Sequence, residues 1–169
     1  MPAEADDSPL HQCFPPVVRY DTSLLVLGSL PGAVSLARRQ YYAHPQNQFW
    51  RLMGAAIGRE LAVLNYEARL EVLLGARVGL WDTVASATRK GSLDADIRLH
   101  APSDLVTLAG TLPALRAVAF NGGTSSRIGR AQLAGIESLE LVDLPSSSPA
   151  YTLAFEKKRD AWLSLRAYL

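Results

Sequence analysis

Aromatic rings and side-chain amides stand side by side in the segment YYAHPQNQFW, residues 41–50. A core segment would hide its rings at a regular period and avoid amides, because a buried amide without hydrogen-bond partners is costly. Two residues of the segment suit chemistry instead. Tyr42 offers a flat ring on which a planar ligand can stack, and Asn47 offers an amide that can hold a water molecule. His44, between them, is more typical of a hydrogen-bonded structural residue.

Two further polar candidates end apolar runs of the sequence. Asn121, in AFNGG, is followed by two glycines that let the backbone approach a ligand closely. Alternatively, Asn121 only caps the next helix through an Asx turn. Asp82, in LWDTVAS, could activate or orient a water molecule as a carboxylate. The alternative for Asp82 is a helix cap or a side chain that holds the backbone.

The segment GSLPG, residues 28–32, follows the first apolar run. It differs from the G-x-G-x-x-G fingerprint of dinucleotide-binding folds, and Pro31 removes an amide donor where a pyrophosphate would need one. We therefore expect no nicotinamide or flavin cofactor. The segment is either a plain turn at the end of a strand or a backbone wall of a binding pocket.

A serine-rich loop, LPSSSPAY at residues 144–151, follows the last apolar run and precedes the basic segment EKKR. Hydroxyls and main-chain amides of such a loop can hold phosphate oxygens while nearby lysines neutralise charge. The alternative is a surface loop followed by a solvated helix face. The candidate phosphate contacts are Ser146, Ser147, Ser148, Tyr151, Lys157 and Lys158.

These segments follow short apolar runs that alternate with helical patterns, which is typical of parallel strands buried on both faces. We predict an α/β fold, a three-layer sandwich with a central, mainly parallel sheet of about four strands flanked by helices. Ligands of such sheets bind beyond the carboxyl ends of the strands. The predicted strands cover 23–29, 77–82, 116–122 and 138–144, and the predicted helices cover 46–57, 65–75, 103–110, 123–134 and 153–168, with Asn65 and Ser103 as N-caps.

With 169 residues and 49% hydrophobic content, the chain is about one domain long and can form one sizeable core. Residues 1–16 are acidic and proline-rich, so we predict a flexible N-terminal arm there and a single domain over residues 17–169. A net charge of +1 excludes a global field that would draw the protein onto polyanions. Any site for nucleic acid must therefore be a local patch.

The composition argues against a metal centre. The single cysteine, Cys13, excludes an internal disulfide and a four-thiolate zinc or iron–sulfur site, and the three histidines lack ligand-like spacing. We expect a mechanism without metal or cofactor. The sequence also lacks a signal peptide and an apolar run of the ~20 residues that cross a bilayer. We therefore expect a cytoplasmic protein without membrane contact, acting as a monomer.

Taken in order, LLVLGSLPG, YYAHPQNQFWRLMG, LWDTVAS, AFNGG and LPSSSPA resemble the uracil-DNA glycosylase superfamily over about residues 23–165. Within it, the chain is most similar to the hypoxanthine-DNA glycosylase (DNA-deoxyinosine glycosylase) family, with mismatch-specific uracil-DNA glycosylases as related enzymes. The resemblance implies a pocket in which the ring of Tyr42 stacks on an extruded base. The implied base-binding residues are Tyr42, Gly28, Ser29, Leu30, Phe49 and Asn121, although the helical spacing of Phe49 favours the core.

Two departures from the superfamily pattern change the implied mechanism. The first motif of the mismatch-specific enzymes has an asparagine that positions water, and Leu30 stands there in this chain. The resemblance to the hypoxanthine family assigns that duty to Asn47, helped by Asn121. Asp82 is a further candidate from its place at the end of an apolar run. The second motif lacks its usual histidine, since Leu144 precedes Pro145. The departing base must therefore be stabilised in another way.

The resemblance implies a monofunctional DNA glycosylase that removes deaminated bases, hypoxanthine and/or uracil, and leaves an abasic site in base excision repair. Its partner is DNA that contains such bases. Two other functions stay open at this point: a hydrolase of free nucleosides or nucleotides, and a nucleic-acid-binding protein without catalysis. The first would need no contacts with flanking phosphates, and the second would show no turnover.

Overall fold

The computed structural model describes residues 10–89, 92–94 and 97–169. The strands of these ranges are β1 (Leu10–Gln12), β2 (Leu24–Gly28), β3 (Val78–Asp82), β4 (Val84–Arg89), β5 (Ile97–Pro102), β6 (Ala117–Asn121) and β7 (Glu140–Leu144). The helices are α1 (Ala33–Arg38), α2 (Phe49–Ile57), α3 (Tyr66–Gly75), α4 (Leu105–Gly110), α5 (Gly123–Leu133) and α6 (Phe155–Trp162), and a 3-10 helix (Leu163–Tyr168) follows α6.

Four parallel strands form the central sheet in the order β3, β2, β6, β7. All five residues of β2 and all five of β6 are buried. Strands covered on both faces need continuous apolar runs, which is why the sequence pattern located them. The prediction of a parallel sheet of about four strands is confirmed.

Helices cover both faces of this sheet. On one face, Leu24 and Val26 of β2 pack in a cluster with residues of α2, α3 and α6. On the other face, Leu25 and Leu27 pack with Leu105 of α4 and Leu133 of α5. Each buried leucine contributes roughly 1.5–3 kcal/mol relative to an exposed one. The predicted three-layer sandwich is therefore confirmed.

A second, antiparallel sheet with the order β1, β4, β5 was not predicted. Leu10–Gln12 pair with Thr88, Ala87 and Ser86 of β4, and the Cys13 N–H donates to the Ala85 carbonyl. Residues 10–12 therefore form a strand where we expected a flexible arm. Residues 1–9 of that predicted arm lie outside the described residues, and the single domain over 17–169 stays a prediction.

Helix α2 begins at Phe49 and not at residue 46, because the preceding residues use their polar groups elsewhere. Asn47 accepts the Phe49 N–H through its side chain, and the Gln48 N–H donates to the Ser147 carbonyl. Asn65 caps α3 as predicted. At α4 the predicted Ser103 cap is wrong, since Asp104 accepts the Thr107 N–H.

Two other differences are the six-residue helix α1, which the sequence pattern missed, and the predicted helix 153–168, which ends its α-helical part at Trp162. Within the described ranges, no helix is long and apolar enough to cross a membrane.

Candidate functional site

A cavity of about 460 Å³ opens at the carboxyl ends of the parallel strands. The last residues of β2, β3 and β6, which are Gly28, Asp82 and Asn121, line it side by side. Loops after β2 and β7 and before α2 complete its walls with Ser29, Leu30, Tyr42, Asn47, Ser146, Ser147, Ser148 and Tyr151. The structure therefore brings most of the predicted site residues together, and the volume suits a small planar ligand.

Ser147 joins the two asparagines of the site. Its hydroxyl donates to Asn47 Oδ1 over 2.8 Å and accepts from Asn121 Nδ2 over 2.9 Å. Its backbone N–H donates to Asn121 Oδ1 over 2.9 Å, which identifies the oxygen of that carboxamide because a backbone N–H only donates. Gly122, not Asn121, is the N-cap of α5. The alternative reading of Asn121 as a helix cap is therefore wrong.

The carboxamide of Asn47 is held by its oxygen. Asn47 Oδ1 accepts from the Ser147 hydroxyl and from the Phe49 N–H, the latter over 3.0 Å. These two bonds fill its two lone pairs, so the Nδ2 amide NH2 group is what Asn47 offers to the cavity it lines. An N–H donor in this place can hold the oxygen of a water molecule.

Tyr42 lies between the cavity and Phe49. The two rings stack with centroids 3.9 Å apart and planes 14° apart, and Trp50 Nε1 donates to the Tyr42 carbonyl. Tyr42 has a φ of 52°, in the left-handed region that non-glycine residues rarely adopt, so these contacts hold a strained residue in place. Phe49 is fully buried and is not among the described residues that line the cavity. It supports the Tyr42 ring, and its predicted role as a base contact is wrong.

Asp82 ends β3 beside Gly28 and Tyr42. A β-carbon on Gly28 would lie 2.7 Å from Asp82 Oδ1 and 2.9 Å from the Tyr42 hydroxyl, so this close approach requires glycine. Burial raises the pKa of Asp82 to about 7; Asp94 adds to the rise, and Arg89 opposes it. Since β4 and not a helix follows, Asp82 is no helix cap.

The serine loop, residues 144–151, is held from behind by Lys158. Lys158 Nζ donates to the Ser148 carbonyl over 3.2 Å and lies 5.4 Å from the centre of the Tyr151 ring. Lys158 is 1% exposed, and burial lowers its pKa. The predicted phosphate contact from Lys158 is therefore wrong, because its ammonium group faces the loop backbone. Lys157 and Tyr151 are exposed and stay candidates.

The segment between β4 and β5 brings residues to the cavity that the sequence did not single out. Ser92, Leu93 and Asp94 line the cavity. Beneath them, the buried Arg89 donates to the Pro31 carbonyl and lies 3.8 Å from Asp94 Oδ1. The polar run ATRKGSLDAD has no periodicity that would have pointed to a site.

Fold and pocket together define an α/β protein with a slot for a planar ligand, lined by a stacking ring and two carboxamides. The sequence profile of the Uracil DNA glycosylase superfamily matches residues 15–168. A Methanosarcina barkeri protein named hypoxanthine DNA glycosylase is 40% identical over 154 residues, which are 89% of this chain and 94% of that protein. Its namesake from Methanosarcina acetivorans is 40% identical over 148 residues, with 88% and 92% covered.

The fold has a solved counterpart. The solution NMR structure of a Methanosarcina acetivorans protein, described as a candidate uracil DNA glycosylase, superposes with a TM-score of 0.85. It is 36% identical in sequence, and 95% of this chain and 99% of that chain are covered. The chain belongs to the uracil-DNA glycosylase superfamily and is a DNA glycosylase. The resemblance, the fold and the enzyme class predicted from the sequence are confirmed.

Proposed function

We propose that this DNA glycosylase hydrolyses the N-glycosidic bond of deaminated bases in DNA, hypoxanthine above all and uracil as a second substrate. One observation carries the proposal: Tyr42, Asn47 and Asn121 line a single cavity, and one serine joins the two asparagines. The names of the two Methanosarcina relatives support the choice of hypoxanthine. Activity on uracil is supported by the superfamily resemblance.

The substrate base must leave the duplex to reach this cavity, at a cost of a few kcal/mol for unstacking and unpairing. A mispaired deaminated base costs less to extrude. Stacking on the Tyr42 ring returns on the order of 1–3 kcal/mol. Because Phe49 covers the other side of that ring, the stacking surface is fixed before the base arrives.

Hydrolysis builds positive charge on the sugar and negative charge on the departing base, so a held water and donors near the base favour the transition state. The Asn47 amide NH2 group holds the water near the sugar carbon. An amide cannot deprotonate that water, which suits a transition state in which the glycosidic bond is largely broken before the water attacks. Among the described residues that line the cavity there is no lysine to form a Schiff base. The product is therefore an abasic site, without strand cleavage.

Asn121 reads the edge of the base. Hypoxanthine and uracil each present a carbonyl next to a ring N–H, and one carboxamide can donate to the first and accept from the second. Ser147 uses one N–H and one lone pair of Asn121, so one of each remains in the carboxamide. Adenine and cytosine present the reverse pattern, which would leave buried polar groups unpaired.

Phosphates of the distorted DNA strand contact the serine loop and Lys157. Ser146 Oγ accepts the Ser148 N–H, which shapes the loop, and Lys157 lies exposed on the first turn of α6. Together they would form a local basic patch on a protein with almost no net charge. The enzyme would act as a metal-free monomer on DNA in the cytoplasm.

A panel of duplex oligonucleotides tests the proposal. The same sequence carries deoxyinosine, deoxyuridine or deoxyxanthosine opposite each normal base, with a single-stranded set beside it. We expect release of hypoxanthine and strand cleavage only after alkali treatment. Release of no base from any duplex would refute the proposal and favour a protein that binds DNA without catalysis. Faster release from free deoxyinosine than from the duplex would favour a nucleoside hydrolase.

A further inference from the structure

We propose that Asp82 is a general acid, which donates a proton to a ring nitrogen of the departing purine. The inference rests on the proposed function, because it takes hypoxanthine as the base in the cavity. It assigns a residue to the step for which this chain lacks the histidine found in many relatives.

The geometry at the end of β3 carries the inference. Asp82 lines the cavity, is only 3% exposed, and its Oδ2 atom is buried without a hydrogen-bond partner among the described residues. Buried carboxyl oxygens in folded proteins nearly always have a partner. Because Asp82 lines the cavity, a ligand there can supply the missing partner.

The position of Asp82 is also restricted. Its Oδ1 atom and the Tyr42 hydroxyl both lie within 3 Å of one point beside Gly28, so the carboxyl group and the stacking ring share one corner of the cavity. A base stacked on Tyr42 therefore brings its ring atoms to the neighbourhood of Asp82. In contrast, Asp94 has a side chain that is 38% exposed and faces Arg89.

The chemistry of a purine leaving group fits an acid in this place. When the bond between C1′ and N9 breaks, its electron pair goes to the base, which would leave as an anion. The Asp82 O–H gives its proton to N7 or N3, so hypoxanthine leaves neutral and Asp82 becomes a carboxylate. Water adds to C1′, and the proton it loses passes to solvent, from which Asp82 is protonated again.

The surroundings of Asp82 keep a proton available near neutral pH. The titratable groups that face it are Cys13 after β1, Tyr41 and Tyr42 before α2, Arg89 on β4, and Asp94. Burial raises the pKa of Asp82 to about 7; the Asp94 carboxylate adds to this, and the Arg89 cation opposes it. A general acid is most effective when its pKa lies near the working pH.

The test compares the parent enzyme with Asp82→Asn in single-turnover excision from duplexes. The duplexes carry deoxyinosine, 7-deaza-deoxyinosine or 3-deaza-deoxyinosine, so that each candidate nitrogen is removed in turn. At pH 6 we expect Asp82→Asn to excise hypoxanthine at least ~100-fold more slowly than the parent, the size typical of a lost general acid. On the analogue that lacks the accepting nitrogen, parent and variant should have equal rates.

The pH profile gives a second readout. The parent rate should fall as pH rises through about 7, and the Asp82→Asn rate should not change with pH. Asp21→Asn serves as the matched control: Asp21 is exposed and precedes the amino end of β2, away from the cavity, so this variant should keep both the parent rate and the parent pH profile. Asp94→Asn should move the fall to lower pH, because a charge that raises the pKa of Asp82 is gone. Circular dichroism and duplex binding verify that each variant is folded.

Three results would overturn the inference. Asp82→Asn could match the parent on deoxyinosine, it could lose the same factor on all three substrates, or both analogues could be excised by the parent as fast as deoxyinosine. In each of these cases the proposed function would stand, since the parent still releases hypoxanthine. If the parent releases no hypoxanthine from any duplex, the proposed function fails, and this inference fails with it.

Discussion

The two sides of the cavity differ in how their polar groups are satisfied. On the amide side, defined by Asn47, Asn121 and Ser147, the side chains bind one another through bonds of 2.8–2.9 Å. On the acid side, defined by Asp82, Asp94 and Arg89, a buried carboxyl oxygen of Asp82 lacks a partner among the described residues. The amide side is held in position by its own hydrogen bonds before the substrate arrives, whereas a buried oxygen of Asp82 on the acid side has no such bond among the described residues.

This difference assigns different duties to the two sides. A closed hydrogen-bond network holds donors in position without reorganisation, which is what orienting a water and reading a base edge require. A buried, unpartnered carboxyl group has a raised pKa and can exchange a proton with a ligand. The amide side therefore suits positioning, and the acid side suits proton transfer.

Removal of the Asn47 carboxamide should have the largest effect on the amide side. Asn47→Ala leaves no N–H to hold the water, so we expect a fall in excision rate of at least ~100-fold. Duplex binding should persist. Gln46→Ala, an exposed neighbour, is the control. Single-turnover excision measures both, and an unchanged Asn47→Ala rate would contradict the assigned role.

Truncation of Asn121 should affect selectivity before anything else. Asn121→Ala removes the carboxamide that reads the lactam edge, so we expect discrimination between deoxyinosine and deoxyadenosine to shrink by roughly 10–100-fold. Competition between the two duplexes measures the ratio. Ser146→Ala is the control, because Ser146 lines the same cavity outside the asparagine network. If every substrate slows by one common factor, Asn121 has no reading role.

The acid side should affect how the free energy of unfolding depends on pH. The pKa of Asp82 is about 7 in the folded protein and 3.8 when the side chain is exposed. As pH rises, the unfolded chain therefore loses the Asp82 proton at a lower pH than the folded protein does. Parent stability should therefore fall as pH rises from about 4 to about 7. Asp82→Asn removes this linkage and should be more stable than the parent at pH 8, by on the order of 1–4 kcal/mol, with little difference near pH 4.

Urea unfolding at both pH values measures this effect. Asp160→Asn is the control, since the Asp160 side chain is 71% exposed. A stability gain of equal size at pH 4 and pH 8 would mean that the Asp82 carboxyl does not titrate differently in the two states. The acid side would then lack the titrating group that distinguishes it from the amide side.

The central sheet could be predicted from the sequence because its strands are buried on both faces. The runs around β2 and β6 are continuously apolar, and this pattern needs no knowledge of partners. The antiparallel sheet could not be predicted in the same way. Strand β1 has three residues, and β4 is interrupted by polar side chains, so their pairing depends on contacts between segments far apart in sequence.

Within the site, the sequence identified residue types but not their orientation. Tyr42 and Phe49 are both aromatic, and only their stacking decides which ring lines the cavity. Lys157 and Lys158 are neighbours on one helix, yet Lys158 is buried against the serine loop. Of three consecutive serines, Ser147 alone binds both asparagines. Such choices are made by tertiary packing.

The smallest expected effect concerns Lys157, which lies outside both sides of the cavity. Lys157→Gln should weaken duplex binding several-fold and reduce the slope of log affinity against log salt concentration by about one. Arg116→Gln is the matched control, because Arg116 is exposed at the amino end of β6, the sheet edge opposite the cavity. Binding titrations from low to high salt measure both slopes. Equal slopes for parent and Lys157→Gln would make Lys157 part of a solvated helix face, and phosphate binding would then depend on the serine loop.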